Sequence, residues 1–211
     1  MLICYDMRRY AFVDVLNTAN SAEKMLGFVV SWEKLHEYLM HKRSCSQVFF
    51  YTGIENGDTE TAAEFDNLSK LDGCVVRSKA IFAYKNTDKV VARKCFECGN
   101  ENVFTIDMGY TKKSNCDVEL GVDAIEKSEP DTELLIFTGD GDFEYLIRRA
   151  LEKGVTKVHV VSYAGKYTKA GVTISRFSTK LRKLIAEESG RVFYTSLQDL
   201  KETIKKEILA T

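Results

Sequence analysis

The chain is short of everything that marks a linker, a leader or a membrane anchor. It has one proline and one tryptophan in 211 residues, and its thirteen glycines are scattered. Without Pro- or Gly-rich stretches there is no long disordered connector. No apolar run approaches bilayer-spanning length, and the first residues lack the apolar core of a signal peptide. A cytoplasmic protein with no membrane attachment is therefore expected. Charge of one sign is missing too: 30 basic against 31 acidic residues leave a formal net charge of −1. That balance says little about partners, because local patches can be strong within a balanced total. The six cysteines are irregularly spaced. They read as free thiols plus one metal-type pair rather than as a disulfide framework.

What remains is an ordinary globular composition, 45% hydrophobic and 29% charged, enough for one full core. The stretch that organises it is Glu133 to Arg149. Leu134-Leu135-Ile136-Phe137 is a short continuous apolar run, as a buried parallel strand should be. Thr138-Gly139-Asp140-Gly141-Asp142 breaks it, and Phe143, Leu146, Ile147 and Ala150 then recur at helical spacing. Strand, glycine turn, helix is the reading, with Gly139 and Gly141 leaving room for the turn and for a phosphate.

Before it, the pattern gives a strand over 10–17, a helical segment over 21–41 whose residues 25–30 read equally as a loop, and a strand over 47–53. A helix over 59–71 follows, with Ala62, Ala63, Phe65, Leu68 and Leu71 inward, then a strand over 74–84. Residues 86–110 break the alternation with two β-type runs around Cys95-Phe-Glu-Cys98-Gly99, a ribbon insertion. A helix over 115–127 comes next. After the organising stretch come a strand over 155–162, a basic loop over 163–175, a helix over 178–189, a strand over 191–194 and a helix over 197–209. Alternating strands and helices indicate βαβ units and a mainly parallel sheet. The expected architecture is three-layer α/β/α, a single domain over 10–211 with the insertion at 86–110 and a lead-in over 1–9.

Four acids fall where this pattern puts a strand end or a first helical turn: Asp14, Asp117, Asp140 and Asp142. Each alone reads as a helix cap or turn starter. Together, on the carboxyl edge where open α/β sheets bind ligands, they form a different object. Clustered carboxylates raise one another's pKa and call for a counter-charge. A hard divalent cation such as Mg²⁺, with oxygen ligands and an affinity for phosphate, supplies it.

These residues carry a family resemblance. Phe12-Val-Asp14-Val-Leu-Asn17, then Lys113-Ser-Asn-Cys-Asp117-Val-Glu-Leu-Gly-Val-Asp123-Ala, then Thr138-Gly-Asp140-Gly-Asp142-Phe143 resemble, in order, the three signatures of the NYN domain, a PIN-like nuclease fold, with the LabA-like subgroup nearest. The resemblance implies a Rossmann-like parallel sheet flanked by helices, an acidic Mg²⁺ or Mn²⁺ site and endoribonuclease activity. It makes Asp14, Asp117, Asp140 and Asp142 the site acids. Asp14, Asp140 and Asp142 are expected to hold the metal while Asp117 orients the attacking water. Asn17 and Thr138 become polar supports for the site or a phosphate. Asp123 matches a motif acid but lies one-and-a-half turns past Asp117, facing elsewhere.

The basic residues are expected to meet RNA, single-stranded or structured. Lys113 precedes the Asp117 helix; Lys166, Lys169 and Arg176 share a loop with Tyr163 and Tyr167, which can stack on bases. The bland alternative is a solvated loop, and for Lys201, Lys205 and Lys206 a solvated helix face is the better reading. Cys95 and Cys98 are half of a tetrahedral Zn²⁺ site. Cys74, Cys116, His36, His41 or His159 could complete it, or two chains could each donate a pair in a homodimer. A redox pair and a plain reduced pair in a turn stay open. The alternative to a ribonuclease is a non-catalytic RNA-binding or regulatory module that keeps the acidic pocket. An Asp-based phosphatase lacks its early Asp-x-Asp, and dinucleotide binding lacks a third glycine.

Overall fold

Tyr10-Ala11-Phe12-Val13 is apolar toward both faces and forms the buried middle of β1 (Arg8–Asp14) in the computed structural model, which describes residues 7–113, 116–169 and 171–207. Asp14 ends the strand because its carboxylate accepts the backbone N–H of Asn17 at 3.1 Å, an N-cap that starts α1 (Val15–Leu26) at once. The strand expected to run to Asn17 therefore ends three residues earlier. The helical segment over 21–41 is two helices. Gly27 turns the chain left-handed after α1, and Ser31 caps α2 (Trp32–Glu37), which continues as a wider turn over Tyr38–Lys42.

Then come β2 (Gln47–Ile54), α3 (Thr59–Ser69) and β3 (Cys74–Ala80). In α3, Phe65 and Leu68 are buried but Ala63 is exposed, so the inward face is narrower than expected. The strand expected over 74–84 breaks at Ile81. Its remainder, β4 (Phe82–Lys85), leaves the sheet for a ribbon with β5 (Lys89–Lys94), β6 (Glu101–Ile106) and β7 (Tyr110–Lys113). In that ribbon β4 pairs antiparallel with β7, and β5 with β6. The chain re-enters the domain as α4 (Asp117–Glu126), β8 (Thr132–Phe137), α5 (Phe143–Glu152) and β9 (Lys157–Ser162). The expected basic loop over 163–175 is a hairpin, β10 (Lys166–Lys169) with β11 (Val172–Ser175). It leads to α6 (Thr179–Glu187) and β12 (Val192–Ser196). The expected terminal helix is a 3₁₀ turn, Leu197–Leu200, and a short α7 (Lys201–Ile204); Lys205 then bridges to Val30, and 208–211 lie outside the described residues. Lys201 is not on a solvated face: its ammonium reaches the Leu26 carbonyl at 3.1 Å.

The main sheet has six strands in the order β12-β9-β8-β1-β2-β3, and every pairing is parallel. Numbered by appearance in the sheet, that is 3-2-1-4-5-6, the doubly wound order whose direction reverses between β1 and β8. Alternate side chains feed two cores. Phe12, Phe49, Leu134 and Ile136 pack with Leu120, Ile147, Leu181 and Leu184 from α4, α5 and α6. Val13, Phe50, Leu135 and Phe137 pack on the other face with Ala22, Leu35, Phe65 and Ile204. Phe12, Phe50 and Phe137 are wholly enclosed, each burial contributing roughly 1.5–3 kcal/mol. This is the parallel-sheet architecture indicated by the alternation, flanked by helices on both faces as the PIN-like resemblance implies. Among the described residues no helix is long and apolar enough to cross a membrane.

Candidate functional site

The reversal between β1 and β8 splays the connections away from the carboxyl ends of those strands and opens a crevice there. Asp14 closes β1 at that point. On β8, Phe137 is followed by Thr138 and Gly139, both buried, and then by the exposed Asp140. The two chain ends are stitched together. Asn17 Oδ1 accepts the Gly139 N–H at 2.9 Å. The Thr138 hydroxyl donates to the Asp14 carboxylate and accepts the Asp140 N–H at 3.1 Å. Asp140 Oδ1 in turn accepts the Asp142 N–H at 3.0 Å. Asn17 and Thr138 thus support the strand-end acids.

The two glycines of the turn are required by the packing of the protein itself. The segment between β11 and α6 crosses directly over them. A Cβ on Gly139 would lie 2.5 Å from the Arg176 carbonyl oxygen and 2.9 Å from Ser162 Oγ, and one on Gly141 would run into the Ser178 hydroxyl. Ser178 donates its N–H to the Gly139 carbonyl at 2.9 Å, fixing that crossing.

Burial holds the Asp14 carboxyl up at about 6, and the charges of Asp117 and Asp140 push in the same direction; the Asn17 N–H and the Thr138 hydroxyl act against them. Asp14, Asp117 and Asp140 therefore share one electrostatic neighbourhood. Cys116, the residue before α4, lies within it: burial raises its thiol, with Glu119, Asp117 and Asp14 adding to the rise. Its sulfur faces the Thr52 carbonyl at 3.5 Å. Glu119 and Lys79 also belong to this rim, and the sequence reading missed both. Lys79 pairs with Glu119 at 2.7 Å and feels the charge of Asp117. Neither residue carries a spacing signal, since β3 brings Lys79 from far along the chain. Glu119 Oε2 is buried with no hydrogen-bond partner among the described residues.

Asp142 stands apart from this group. Its side chain is 80% exposed and lies 3.7 Å from the Lys180 ammonium. Lys166 is exposed on β10, while the side chains of Lys113, Tyr167 and Lys169, and residues 114–115 of the second motif, lie outside the described residues. Asp123 faces away from the acids: it accepts from the Tyr51 hydroxyl at 2.9 Å and from Arg77 at 3.1 and 3.3 Å. Cys95 and Cys98 sit at the tip of the ribbon. Beside the β1 end, a cleft of about 460 Å³ is lined by Val15, Leu16, Thr52, Gly53 and Ile81 among others.

The acids at the crevice offer carboxylate oxygens, among them the orphaned Oε2 of Glu119, and these suit a hard divalent cation. Among the described residues no three His, Cys, Asp or Glu side chains close on one point. The acids are coupled through charge without forming a cage.

Comparison with known proteins places the same stretch in relief. The NYN domain profile matches residues 9–176, from the start of β1 to the crossing over the glycine turn. No curated protein matches. Among solved structures, a protein of unknown function from Vibrio parahaemolyticus aligns with TM-score 0.59 at 16% identity, over 94% of this chain and 98% of its own. It shares the fold. Phosphofructokinase-2 from Escherichia coli aligns with TM-score 0.33 at 13% identity over 75% of this chain and 55% of its own in one mutant form, and nothing follows from it.

Proposed function

This chain belongs to the NYN domain family, and on that premise we propose that it is a cytoplasmic, divalent-metal-dependent endoribonuclease of the LabA-like kind, acting at its aspartate crevice. NYN domains are generally nucleases, which gives the chain a nuclease-like, RNA-related character. The observation that carries the finer reading is the electrostatic coupling of the buried Asp14 to Asp117 and Asp140 at the switch point of the sheet.

One or two of Asp14, Asp140 and Asp117 would hold Mg²⁺ or Mn²⁺ directly and the remainder through water, with Asp142 at the outer edge. Bound there, such an ion neutralises charge on a phosphodiester and makes water more acidic. The chain's own residues do the rest. Asp117, at the start of α4, orients water for in-line attack on phosphorus. Asn17 and Thr138 keep Asp14 and Asp140 in register, because each bonds both the β1 end and the β8 turn. Lys113, Lys166 and Lys169 meet neighbouring phosphates, and the cleft beside Leu16 offers an apolar wall to a base. Water adds to phosphorus, the P–O bond on the far side breaks, and the departing oxygen takes up a proton.

The test is cleavage of single-stranded and structured RNAs with Mg²⁺, Mn²⁺ or chelator. The Asp14→Asn, Asp140→Asn double variant serves as control, its fold checked by circular dichroism. Metal-dependent products from wild type, lost in the variant, are expected. Undiminished cleavage by a clean preparation of the variant overturns the site. RNA binding without metal-dependent products assigns the chain to the non-cleaving, regulatory reading.

A further inference from the structure

The β5–β6 ribbon is poorly supported by the chain that carries it. Val90, Val103, Phe104 and Ile106 are between 47% and 64% exposed, and Phe96 at the tip is fully exposed. A two-stranded ribbon is marginal by itself. Yet its turn is tightly constructed. Cys95 donates its N–H to the Asn100 carbonyl at 2.8 Å, and Gly99 donates to the Cys95 carbonyl at 3.0 Å. Gly99 sits at φ +71°, where other residues are strained. The backbone N–H groups of Cys98 and Glu97, with the Cys98 side chain, hold the Cys95 thiol below its ordinary range. A turn that gathers amide hydrogens around one thiol and brings a second thiol beside it is built for a thiolate metal site.

Tetrahedral zinc needs four ligands, and this tip supplies two. Among the described residues no further His, Cys, Asp or Glu joins them. Most described candidates are committed elsewhere: Cys45, Cys74 and Cys116 pack in the two cores, His36 bonds the Asp72 carbonyl and His159 stacks on Phe193, while the exposed His41 lies beside Asp72 and Leu71 in the main domain and not on the ribbon. We propose that Cys95 and Cys98 are half of a Cys₄ zinc site completed by the same pair of a second copy of this chain. A two-fold axis through the ion makes the two knuckles equivalent and requires no further ligand. The tip is charge-balanced, with Lys94 opposite Glu101 in the ladder and Arg93 and Glu97 beside them, so two copies do not repel. Joining tips also covers Phe96 and the apolar ribbon faces. The inference does not depend on the nuclease reading.

Full-length protein purified without chelator is to be measured for zinc content and for mass by native mass spectrometry and light scattering. One zinc per two chains in a dimer is expected, with dissociation to zinc-free monomers on chelation and in Cys95→Ser and Cys98→Ser. Co²⁺ in place of zinc should give the visible absorption of a tetrathiolate site in the dimer only, a readout independent of any misfolding of the variants. A zinc-free protein, one zinc per chain, or a dimer that survives both chelation and Cys95→Ser overturns the proposal.

Discussion

Asn17 Oδ1 accepts the backbone N–H of Gly139 at 2.9 Å across 122 residues of sequence. This one bond ties the first turn of α1 to the turn after β8, so it sets the spacing of Asp14 and Asp140. Gly139 is buried, and losing the acceptor leaves its N–H unsatisfied. Asn17→Ala should therefore cost about 1–3 kcal/mol in urea unfolding. It should also weaken Mn²⁺ binding and lower kcat/KM for RNA at least tenfold. Wild-type stability and activity in Asn17→Ala would remove this bond from the account of the site.

The pH dependence of stability follows from Asp14. Its carboxyl sits near 6 in the folded chain against an ordinary 3.8, because burial disfavours the charge. The folded state thus holds the proton more tightly than the unfolded state. Stability is full below about pH 4, falls as the pH rises through 6, and stays reduced above. Two units correspond to roughly 3 kcal/mol as a ceiling. Asparagine keeps the cap on α1 without the charge. In chelator, Asp14→Asn should accordingly be more stable than wild type by about 1–3 kcal/mol at pH 7.5, with no difference at pH 4. Added Mn²⁺ should stabilise wild type but not the variant. Urea curves at four pH values check this; a variant less stable at pH 7.5 contradicts it.

Gly139 offers a cleaner steric test. Alanine there meets the Arg176 carbonyl oxygen at 2.5 Å, a backbone atom with little freedom, whereas alanine at Gly121 in α4 has nothing within 4 Å. Gly139→Ala should destabilise by about 1–3 kcal/mol. Gly121→Ala should stabilise by roughly 0.5–1 kcal/mol through helix propensity. Thermal unfolding of the pair decides it, and equal effects would mean the crossing over the turn is loose.

What was legible in the chain was whatever depends on short-range pattern. Leu134 to Phe137 announced a buried parallel strand because both faces are apolar, and Phe143, Leu146 and Ile147 gave the next helix by spacing. The end of β1 was not legible: Val15 and Leu16 continue the apolar run, and only the Asp14 cap bends it into a helix. The packing demand on Gly139 and Gly141 was not legible, because the group that crowds them, Arg176 to Ser178, arrives from a distant hairpin. Lys79 and Glu119 were invisible for the same reason, since their pairing is a product of sheet order.

Asp123 and Asp117 share one motif and one helix yet face different neighbours, and their variants should separate. Asp123 is buried, accepting from the Tyr51 hydroxyl and from two nitrogens of Arg77. Asp123→Ala leaves that buried hydroxyl unpaired and should cost about 1–3 kcal/mol in unfolding. The half-exposed Arg77 adds little, because solvent screens it. Mn²⁺ affinity and cleavage should stay within about threefold of wild type once the protein is folded, since roughly 0.6 kcal/mol is all that indirect displacement of α4 needs to transmit. Asp117→Ala should do the reverse, abolishing cleavage with an unfolding midpoint close to wild type. Tyr51→Phe, which removes only the hydroxyl, should reproduce a fraction of the Asp123 stability loss and none of the activity loss. Titration of Mn²⁺ and urea unfolding on the three variants measure both axes, and an Asp123→Ala protein that is folded but inactive would move Asp123 into the site.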